Sequence, residues 1–433
     1  MTHVPDAFAS DAEWLVFADA LQQQGDPRGE LIALSHAGDV ARRDAHVRKH
    51  AQALLGDAGA LVESGFLKVT WRWSFIDAAE VRGSSAPAVA TALDALLAAP
   101  TATRLRALSL IGVPAAGDPL LDLSAVVDRL SGEDVPASLT ELSLIDHWAA
   151  QSTSLTSRDH ESGPNLVTFG PLGTLWALKG LRALTLVVAD TRQLDPGTIV
   201  APELTSLTLH GLRFAEDNAA AGASEFAAAL ATATLPKLTT FDCRLCETWV
   251  VNELHFAGTY TAHDVAGEGA FEEGHHEGAD WSGEFGDALR NLVTLPLRRL
   301  ALTSFASTSS LLELLASTGL PPTLEELDLS DSALATSDLA WFTANKPVLS
   351  RLHRLVVKNT GFTEDDAKVL ASLGPKVEHT MAATARMRVG GTVYISDDGS
   401  FGGLTPDDEE PEGDETPLTS APLPKYRYVV GME

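Results

Sequence analysis

The sequence has few cysteines, a deficit of basic residues and no long apolar run. Two cysteines in 433 residues cannot build a disulfide framework, which fits a reducing compartment. Lys and Arg total 31 against 59 Asp and Glu, so the net charge is −28, and such a surface repels nucleic-acid phosphates and anionic lipids. No apolar run of about 18 residues occurs, and the start MTHVPDAFASDAEW lacks a signal-peptide core. We therefore expect a cytoplasmic protein that binds neither nucleic acid nor membrane.

Signatures of catalysis and of cofactor binding are also missing. The sequence holds no G-x-S-x-G, no Walker loop and no G-x-G-x-x-G after a strand. The Ser, His and Asp of SLTSRDHES are too close together in a loop to form a catalytic triad. The Gly-rich VGGTVYISDDGSFGG lacks the Lys and the helix of a phosphate loop, and we interpret it as strand–turn–strand with Asp398 and Gly399 at the turn. We expect no enzyme and no cofactor.

One apolar phrase, Leu-x-x-Leu-x-Leu, recurs along most of the chain. Residues at phrase positions 1, 4 and 6 are apolar and point inward, since alternate strand residues face the same way. The phrase begins at the following residues: Ile76 (a weaker copy, IDAAEV), Leu105, Leu139, Leu181, Leu204, Leu238, Leu297, Leu324 and Leu352. Each copy predicts one short strand.

Several segments between the phrases have the apolar spacing of helices. SAPAVATALDALLAAP and SDLAWFTANKPVLS carry apolar residues three to four positions apart. One unit is then a strand, a turn and a return helix, which is too small to bury its own apolar edge. Stacking such units into a parallel sheet with helices outside buries that edge. The expected fold is α/β.

The phrases resemble the leucine-rich repeat, specifically its helix-backed, ribonuclease-inhibitor-like class. The resemblance implies a solenoid over 67–376: a curved parallel sheet with helices on its convex side. The usual Asn of the ninth position is absent or replaced, by Cys246, Ser332 and Thr360 in three copies. The architecture hosts many roles, so it does not by itself specify a function.

The segment 1–66 differs from the repeats and is predicted to be helical. Ser10 to Glu13 form a capping box, and Trp14, Leu15, Phe17, Ala18 and Leu21 form an apolar helix face that GDPRGE ends. The run WLVFADALQQQGDPRGELIAL and the later TWR resemble the repeat-companion domain at the N-terminus of bacterial, myxobacterial-type repeat proteins. We expect a helical cap over the open edge of the first repeat. Asp26 and Arg28 either tie the helix-breaking turn or contact a partner, and the turn is the simpler account.

Two insertions interrupt the repeats, at about 148–170 and 247–290. The second carries His255, His263, His275 and His276 among Glu and Asp, a set that could bind a divalent metal. Their spacing matches no helix-borne ligand pair, and the Gly-rich context predicts instead a β-hairpin followed by a flexible acidic loop. Cys243 and Cys246 form a lone C-x-x-C on repeat positions, which favours structural filling over a metal or redox site.

The C-terminal segment 377–433 is predicted to contain the strand–turn–strand and an acidic, Pro-rich disordered stretch at 405–424. The closing KYRYVVGME restores aromatic and β-branched residues. It either pairs with the far edge of the array as a cap, which we favour, or is displayed as a linear motif.

Phrase positions 3, 5 and 7 face the concave surface, and positions 5 and 7 supply the candidate partner-binding residues. Position 7 begins with three aliphatic residues on adjacent strands, a stripe that we expect to be exposed, flanked by hydroxyls at position 5. The alternative is that the first insertion folds over it. Later copies place Arg299, Arg354 and Lys358 beside Glu326 and Asp328, a mixed polar surface suited to specificity. The candidate residues at position 7 are Ile111, Ile145, Val187, His210 and Arg244; those at position 5 are Ser109, Ser143, Thr185, Thr208 and Asp242.

Three functional hypotheses follow. The first is a non-catalytic interaction scaffold that binds a protein or peptide through the concave face and the insertions. The second is a metal-binding or enzymatic protein that uses the His/Glu-rich stretch 255–281. The third, by analogy of fold, is a sensor or regulator of a neighbouring effector in a bacterial defence or signalling system. The sequence does not specify the partner or the oligomeric state.

Overall fold

The structure, a computed structural model, describes residues 4–5, 9–114, 120–132, 134–151, 166–188, 194–212, 222–245, 281–304, 308–332, 334 and 336–381. The chain divides into two compact units. The N-terminal unit comprises Met1–Ala150 and Asn165–Val188, and the C-terminal unit comprises Gln151–Pro164 and Ala189–Glu433. Both are mixed α/β, with mostly parallel strands and helices between them.

The N-terminal unit begins with a run of helices. The bounds are α1 (Asp11–Gln23), α2 (Pro27–His36), α3 (Val40–Lys49), α4 (Ala51–Leu55) and α5 (Ala58–Glu63). The predicted capping box is present at the start of α1: the Ser10 side chain accepts from the Glu13 N–H, and the Glu13 carboxylate accepts from the Ser10 N–H at 2.8 Å. These two bonds satisfy backbone donors that would otherwise lack partners at the helix start.

The turn between α1 and α2 is built as the simpler account predicts. Gly25 adopts φ 72°, a left-handed conformation that glycine enters without steric cost. Asp26 then caps α2, because its carboxylate accepts from the Arg28 N–H at 2.9 Å and from Arg28 Nε at 2.9 Å. The pair holds the turn, and Arg28 keeps the pKa of Asp26 below its ordinary value against the opposing effect of burial, which raises it.

The sheet of the N-terminal unit joins one antiparallel pair to a parallel run. β1 (Leu67–Arg72) is antiparallel to β2 (Phe75–Gly83), after which β3 (Ala107–Gly112), β5 (Glu141–Asp146) and β8 (Ala183–Val187) add in parallel. A separate parallel pair is formed by β4 (Leu120–Asp122) and β6 (Leu166–Thr168), and β7 is Gly170–Pro171. The helices of this region are α6 (Ala86–Ala98), α7 (Ser124–Asp128), α8 (His147–Gln151) and α9 (Gly173–Trp176).

The C-terminal unit contains an all-parallel run of strands. Its strands are β9 (Leu194–Asp195), β10 (Ser206–Leu212), β11 (Thr240–Leu245), β12 (Arg299–Thr303), β13 (Glu326–Asp328), β14 (Arg354–Thr360) and β15 (Lys376–Met381), with β10 to β15 paired in that order. Its helices are α10 (Gly222–Ala231), α11 (Trp281–Leu292), α12 (Thr308–Thr318), α13 (Leu339–Ala344), α14 (Lys346–Leu349) and α15 (Glu364–Ser372). Three-residue 3₁₀ turns lie at Ala102–Arg104, Arg129–Ser131 and Thr336–Asp338.

The prediction of a strand at every phrase is confirmed, and so is the register within each unit. Third phrase positions pair with third positions on neighbouring strands: Ala78 with Ala107, and Ala107 with Glu141, in the N-terminal unit. The C-terminal unit repeats the rule from Ser206 through Thr240. The leucines at positions 1, 4 and 6 are buried as predicted, including Leu105, Leu108, Leu110, Leu297, Leu300 and Leu302. β15 adds a further strand in the same register from a segment without the leucines, and it crosses the boundary that the sequence placed at residue 376.

Two copies hold a small buried hydroxyl at the ninth phrase position, where the resemblance to the repeat family implies Asn. Ser332 and Thr360 are fully buried. Their hydroxyls donate to backbone carbonyls, Ser332 to Ser330 at 3.3 Å and Thr360 to Val357 at 3.0 Å. A buried polar side chain needs such a partner, and each of these two finds one two or three residues earlier in the chain. Cys246 lies outside the described residues.

The expectation of a flexible loop through the whole second insertion is wrong at its end. From Trp281 the chain forms α11, whose Phe285, Ala288, Leu289 and Leu292 are buried. Their spacing of three and four residues places one apolar stripe against the unit's core. The first insertion likewise contains α8 and the β6–β7 segment. The predicted hairpin at 247–261, the strand–turn–strand at Asp398 and the tail 405–424 lie outside the described residues.

Candidate functional site

The strand face of the N-terminal unit carries the first group of predicted residues, and the structure aligns them. Position 5 runs from Ser109 to Ser143 to Thr185 on adjacent strands, and position 7 likewise joins Ile111, Ile145 and Val187. The serines and the threonine are half-buried.

We expected the aliphatic stripe at position 7 to be exposed, and the structure shows that this expectation is wrong. Ile111 is 7% exposed and Val187 is 9% exposed, and Ile145 between them is half-buried. The alternation of a strand fixes which way a side chain points. It does not encode what packs over that side, and here the two β-branched side chains are covered. Their partner-binding role stays a prediction, with little surface available for it.

The strand face of the C-terminal unit carries a ladder of opposite charges across neighbouring strands, which we call the charged face. Arg299 on β12 lies 3.2 Å from Glu326, 3.7 Å from Asp242 and 3.6 Å from Asp328. Arg354 on β14 is 2.9 Å from Glu326 on one side and 2.8 Å from Glu378 on the other. Every one of these side chains keeps part of its surface exposed.

The remaining predicted residues of this unit belong to the same surface. Thr208 pairs in register with Asp242, and His210 with Arg244. His210 Nε2 lies 3.5 Å from an Asp242 oxygen, and Arg244 Nε donates to Ser304 Oγ at 3.1 Å. Lys358 extends the charged face, since its Nζ is 2.9 Å from Glu378. The structure therefore brings the later predicted residues together as a mixed polar surface.

The charged face shifts the pKa of its end members. Hydrogen bonds from Arg354 and from Lys358 lower the pKa of Glu378 to about 2. The pKa of Arg354 is raised by its hydrogen bonds to Glu378 and then Glu326. Glu378 thus stays ionised well into the acid range.

The metal hypothesis stays a prediction. His255, His263, His275 and His276 lie outside the described residues. Within the part of the chain that the structure describes, no group of three or more His, Cys, Asp and Glu is arranged to hold a metal ion. Cys243 is fully buried with a free thiol, and burial, then Asp242, raises its pKa, so it fills the core as the sequence predicts.

The N-terminal unit also has a cleft of about 460 Å³, which we call the arginine cleft. The sequence did not lead us to expect it. Its lining residues are Trp14, Arg72, Trp73, Phe75, Asp77, Arg104, Arg106, Ser138, Thr140 and Arg182. Four guanidinium groups against one carboxylate are unusual on a chain of net charge −28.

The aromatic wall of the arginine cleft comes from α1 and from the β1–β2 turn. Trp14 stacks on Trp73 with ring centroids 5.4 Å apart, and Phe75 meets Trp14 edge to face at 6.3 Å. Trp73 adopts φ 57°, a strained conformation for a bulky residue, and its carbonyl accepts from Ser35 Oγ at 3.0 Å. The turn therefore stores strain in order to place this ring.

Two of the cleft's arginines are held in different ways. Arg106 is paired, with Nη2 3.1 Å from Asp77 and with Nη1 bonded to Glu141, and the hydrogen bond to Asp77 raises its pKa. Arg104 instead lies over aromatic faces, with its Cζ 5.0 Å from the Phe75 centroid and 5.6 Å from that of Trp14.

A signal for the arginine cleft was present in the phrase alignment. Asp77, Arg106, Thr140 and Arg182 all occupy the second phrase position, so they form one row at the edge where the strands begin. Reading that position across the copies would have shown the polar row. The aromatic wall could not be found in this way, because Trp14 and Trp73 lie outside the repeats.

Comparison with known proteins assigns neither a family nor a function to this chain. No family model and no curated protein matches the chain. Among solved structures, it is similar to a structural-genomics target from Bacteroides fragilis at TM-score 0.45 and 16% identity, covering 66% of this chain and 68% of that one. Among the described residues, no helix has the length and apolar character needed to cross a membrane.

Proposed function

We propose that the chain is a leucine-rich repeat solenoid that acts as a non-catalytic scaffold, and that the charged face binds a protein or peptide partner. The support for the repeat class is internal: nine phrases form strands, and neighbouring strands within each unit pair at the same phrase position. A unit of this size must stack on its neighbours to bury its leucines.

The observation that carries the binding proposal is the alternation of charge on partly exposed side chains along β11 to β15. Arg299 lies between Asp242 and Glu326, and Arg354 lies between Glu326 and Glu378. Exposed pairs of this kind add little to stability, about 0–1 kcal/mol each. They do set which complementary surface can dock, since like charges across an interface are strongly disfavoured.

The test reverses the sign of three neighbouring charges, on Glu326, Arg354 and Glu378. Each of the two pairs among them still joins opposite charges. The triple variant Glu326→Lys/Arg354→Glu/Glu378→Lys is compared with the native chain for retention of a partner from the native host, first identified with the native chain by cross-linking. We expect at least about a tenfold loss of partner affinity, from charge pairs of about 1.5 kcal/mol or more.

The control is the exposed pair Lys237–Glu203, 2.7 Å apart and outside the strands. The swap Lys237→Glu/Glu203→Lys should leave partner affinity unchanged. Equal binding by the triple variant, or an equal loss in the control swap, would remove the charged face as the docking surface. Circular dichroism and thermal unfolding of all three proteins establish that each is folded.

A further inference from the structure

The arginine cleft offers a charge that its own surroundings do not neutralise. Arg104 is half-buried, and among the described residues it has no carboxylate partner, whereas Arg106 beside it has two. Its contacts are the faces of Phe75 and Trp14. A partly desolvated cation without an anion is electrostatically unfavourable, so the site gains by accepting one.

The aromatic contacts do not use the hydrogen-bond donors of Arg104. A guanidinium over a ring is attracted electrostatically to the ring face, and its five N–H donors stay available. Those donors form a fork that matches a carboxylate or a phosphate with two parallel hydrogen bonds. Contact with Phe75 and Trp14 therefore leaves the donors of Arg104 available to an anion.

A second, independent observation is the buried indole N–H of Trp14. The side chain is 1% exposed, and its Nε1 has no hydrogen-bond acceptor among the described residues. A buried donor without an acceptor costs about 1–3 kcal/mol, so such donors are rare unless they serve a purpose. Trp14 also lines the cleft, so this unsatisfied donor belongs to a residue of the cleft wall.

The backbone conformation of Trp73 also supports a ligand-binding role for the cleft. A non-glycine residue at φ 57° is sterically costly, and such strain concentrates at ligand-binding positions. The strain here places an aromatic ring in the wall of a cleft whose volume, about 460 Å³, lies within the range of small-molecule sites.

We propose that the arginine cleft is a binding site for a small organic anion, with a carboxylate or phosphate on Arg104 and an apolar body against Trp73 and Phe75. The site is independent of the proposed docking surface, because it lies in the N-terminal unit and shares no residue with the charged face.

The experiment is isothermal titration of the full chain with phenyl phosphate, phenylacetate, inorganic phosphate and neutral benzyl alcohol at low salt. Both aryl anions should bind saturably, more tightly than inorganic phosphate, and benzyl alcohol should not bind. Arg104→Gln should weaken the aryl anions about tenfold to a hundredfold, as expected for a charged hydrogen-bonding partner. Arg104→Lys should fall between, because an ammonium keeps the charge and loses the fork.

The matched control is Arg298→Gln, an exposed second-position arginine of the C-terminal unit that lies 3.4 Å from Glu325. It should leave anion binding unchanged, and thermal unfolding shows whether each variant is folded. Affinity that is unchanged in folded Arg104→Gln would overturn the proposal, as would equal binding of benzyl alcohol. If inorganic phosphate binds as tightly as phenyl phosphate, the proposed contact between the ligand's apolar body and the aromatic wall is wrong. Failure of both aryl anions to bind the native chain would also overturn the proposal.

Discussion

The strand faces of the two units carry different side chains at the same phrase positions. In the N-terminal unit, position 7 brings together Ile111 and Val187, which are buried. In the C-terminal unit, position 7 brings together His210 and Arg244, which keep part of their surface exposed. The leucines beneath both faces are equally buried. The difference teaches that the repeat fixes the frame, while the residues between the leucines decide what each face can contact.

The turns after the strands differ between the units as well. Of the five position-8 residues in the C-terminal unit, four have positive φ between 53° and 94°, namely Gly211, Ser304, Asp331 and Asn359, and Leu245 does not. Asn359 Nδ2 donates to Asp331 Oδ1 at 2.8 Å, so successive turns are linked. The N-terminal unit has Val188 at this position without a positive φ, and a β-branched residue is acceptable there.

The largest effect is expected from the leucines, and it should be the same in both units. Leu110→Ala and Leu300→Ala each remove a fully buried side chain and leave a cavity, at a cost of about 2–5 kcal/mol in the free energy of unfolding. Urea unfolding followed by circular dichroism measures it. Leu120→Ala, at a side chain 45% exposed, is the control and should change stability by less than about 0.5 kcal/mol. A cost under about 1 kcal/mol for either buried leucine would contradict the shared frame.

The second largest effect concerns the left-handed residue at phrase position 8, which occurs in the C-terminal unit. Ser304 adopts φ 62°, which a β-branched side chain tolerates poorly. We expect Ser304→Val to be less stable than Ser304→Gly by about 1–2 kcal/mol, because only glycine enters this region without a steric penalty. Both variants lose the hydrogen bond from Arg244, so it cancels in the comparison. Equal thermal midpoints for the two would show that the turn is not left-handed.

The strands and the burial of their second face differ in how far the sequence predicts them. The leucine pattern predicts every phrase strand, because positions 1, 4 and 6 are apolar in each copy. It does not predict that Ile111 is covered, since burial of a strand's second face depends on distant segments. Helix α11 was missed because Phe285 and Leu289 lie in a Gly-rich context. The arginine cleft was missed because Trp14, Trp73 and Arg104 come from three separate elements.

A third effect concerns the charged face alone. Arg354→Ala leaves two carboxylates without their shared partner, and we expect a loss of about 1 kcal/mol because the side chains are partly exposed. Arg129→Ala breaks an exposed pair with Asp94 outside the sheets, and it should cost close to nothing. Chemical unfolding of the two variants at low and at high salt tests this, since salt should reduce the cost of Arg354→Ala. An equal effect of both substitutions would argue against a coupled ladder.

The smallest effect is the pH dependence of Glu378. Its pKa is lowered to about 2 in the folded chain, chiefly by Arg354, while an unfolded glutamate titrates near its ordinary value of 4.5. The stabilisation is therefore fully present above pH 4.5 and is lost as the pH falls towards 2. The stability difference between the native chain and Glu378→Gln should shrink over that window. A difference that is constant from pH 5 to pH 2.5 would show that the ion pairs do not form.

The most direct test of the whole account is a methyl–methyl NOE measurement on a deuterated chain with labelled leucine and valine methyl groups. Leu300, Leu327 and Leu355 pair in register on β12, β13 and β14, and neighbouring strands lie about 4.8 Å apart. The stacked register predicts strong contacts from Leu300 to Leu327 and from Leu327 to Leu355, with none from Leu300 to Leu355. Missing contacts between successive leucines, or contacts displaced by one strand residue, would contradict the account.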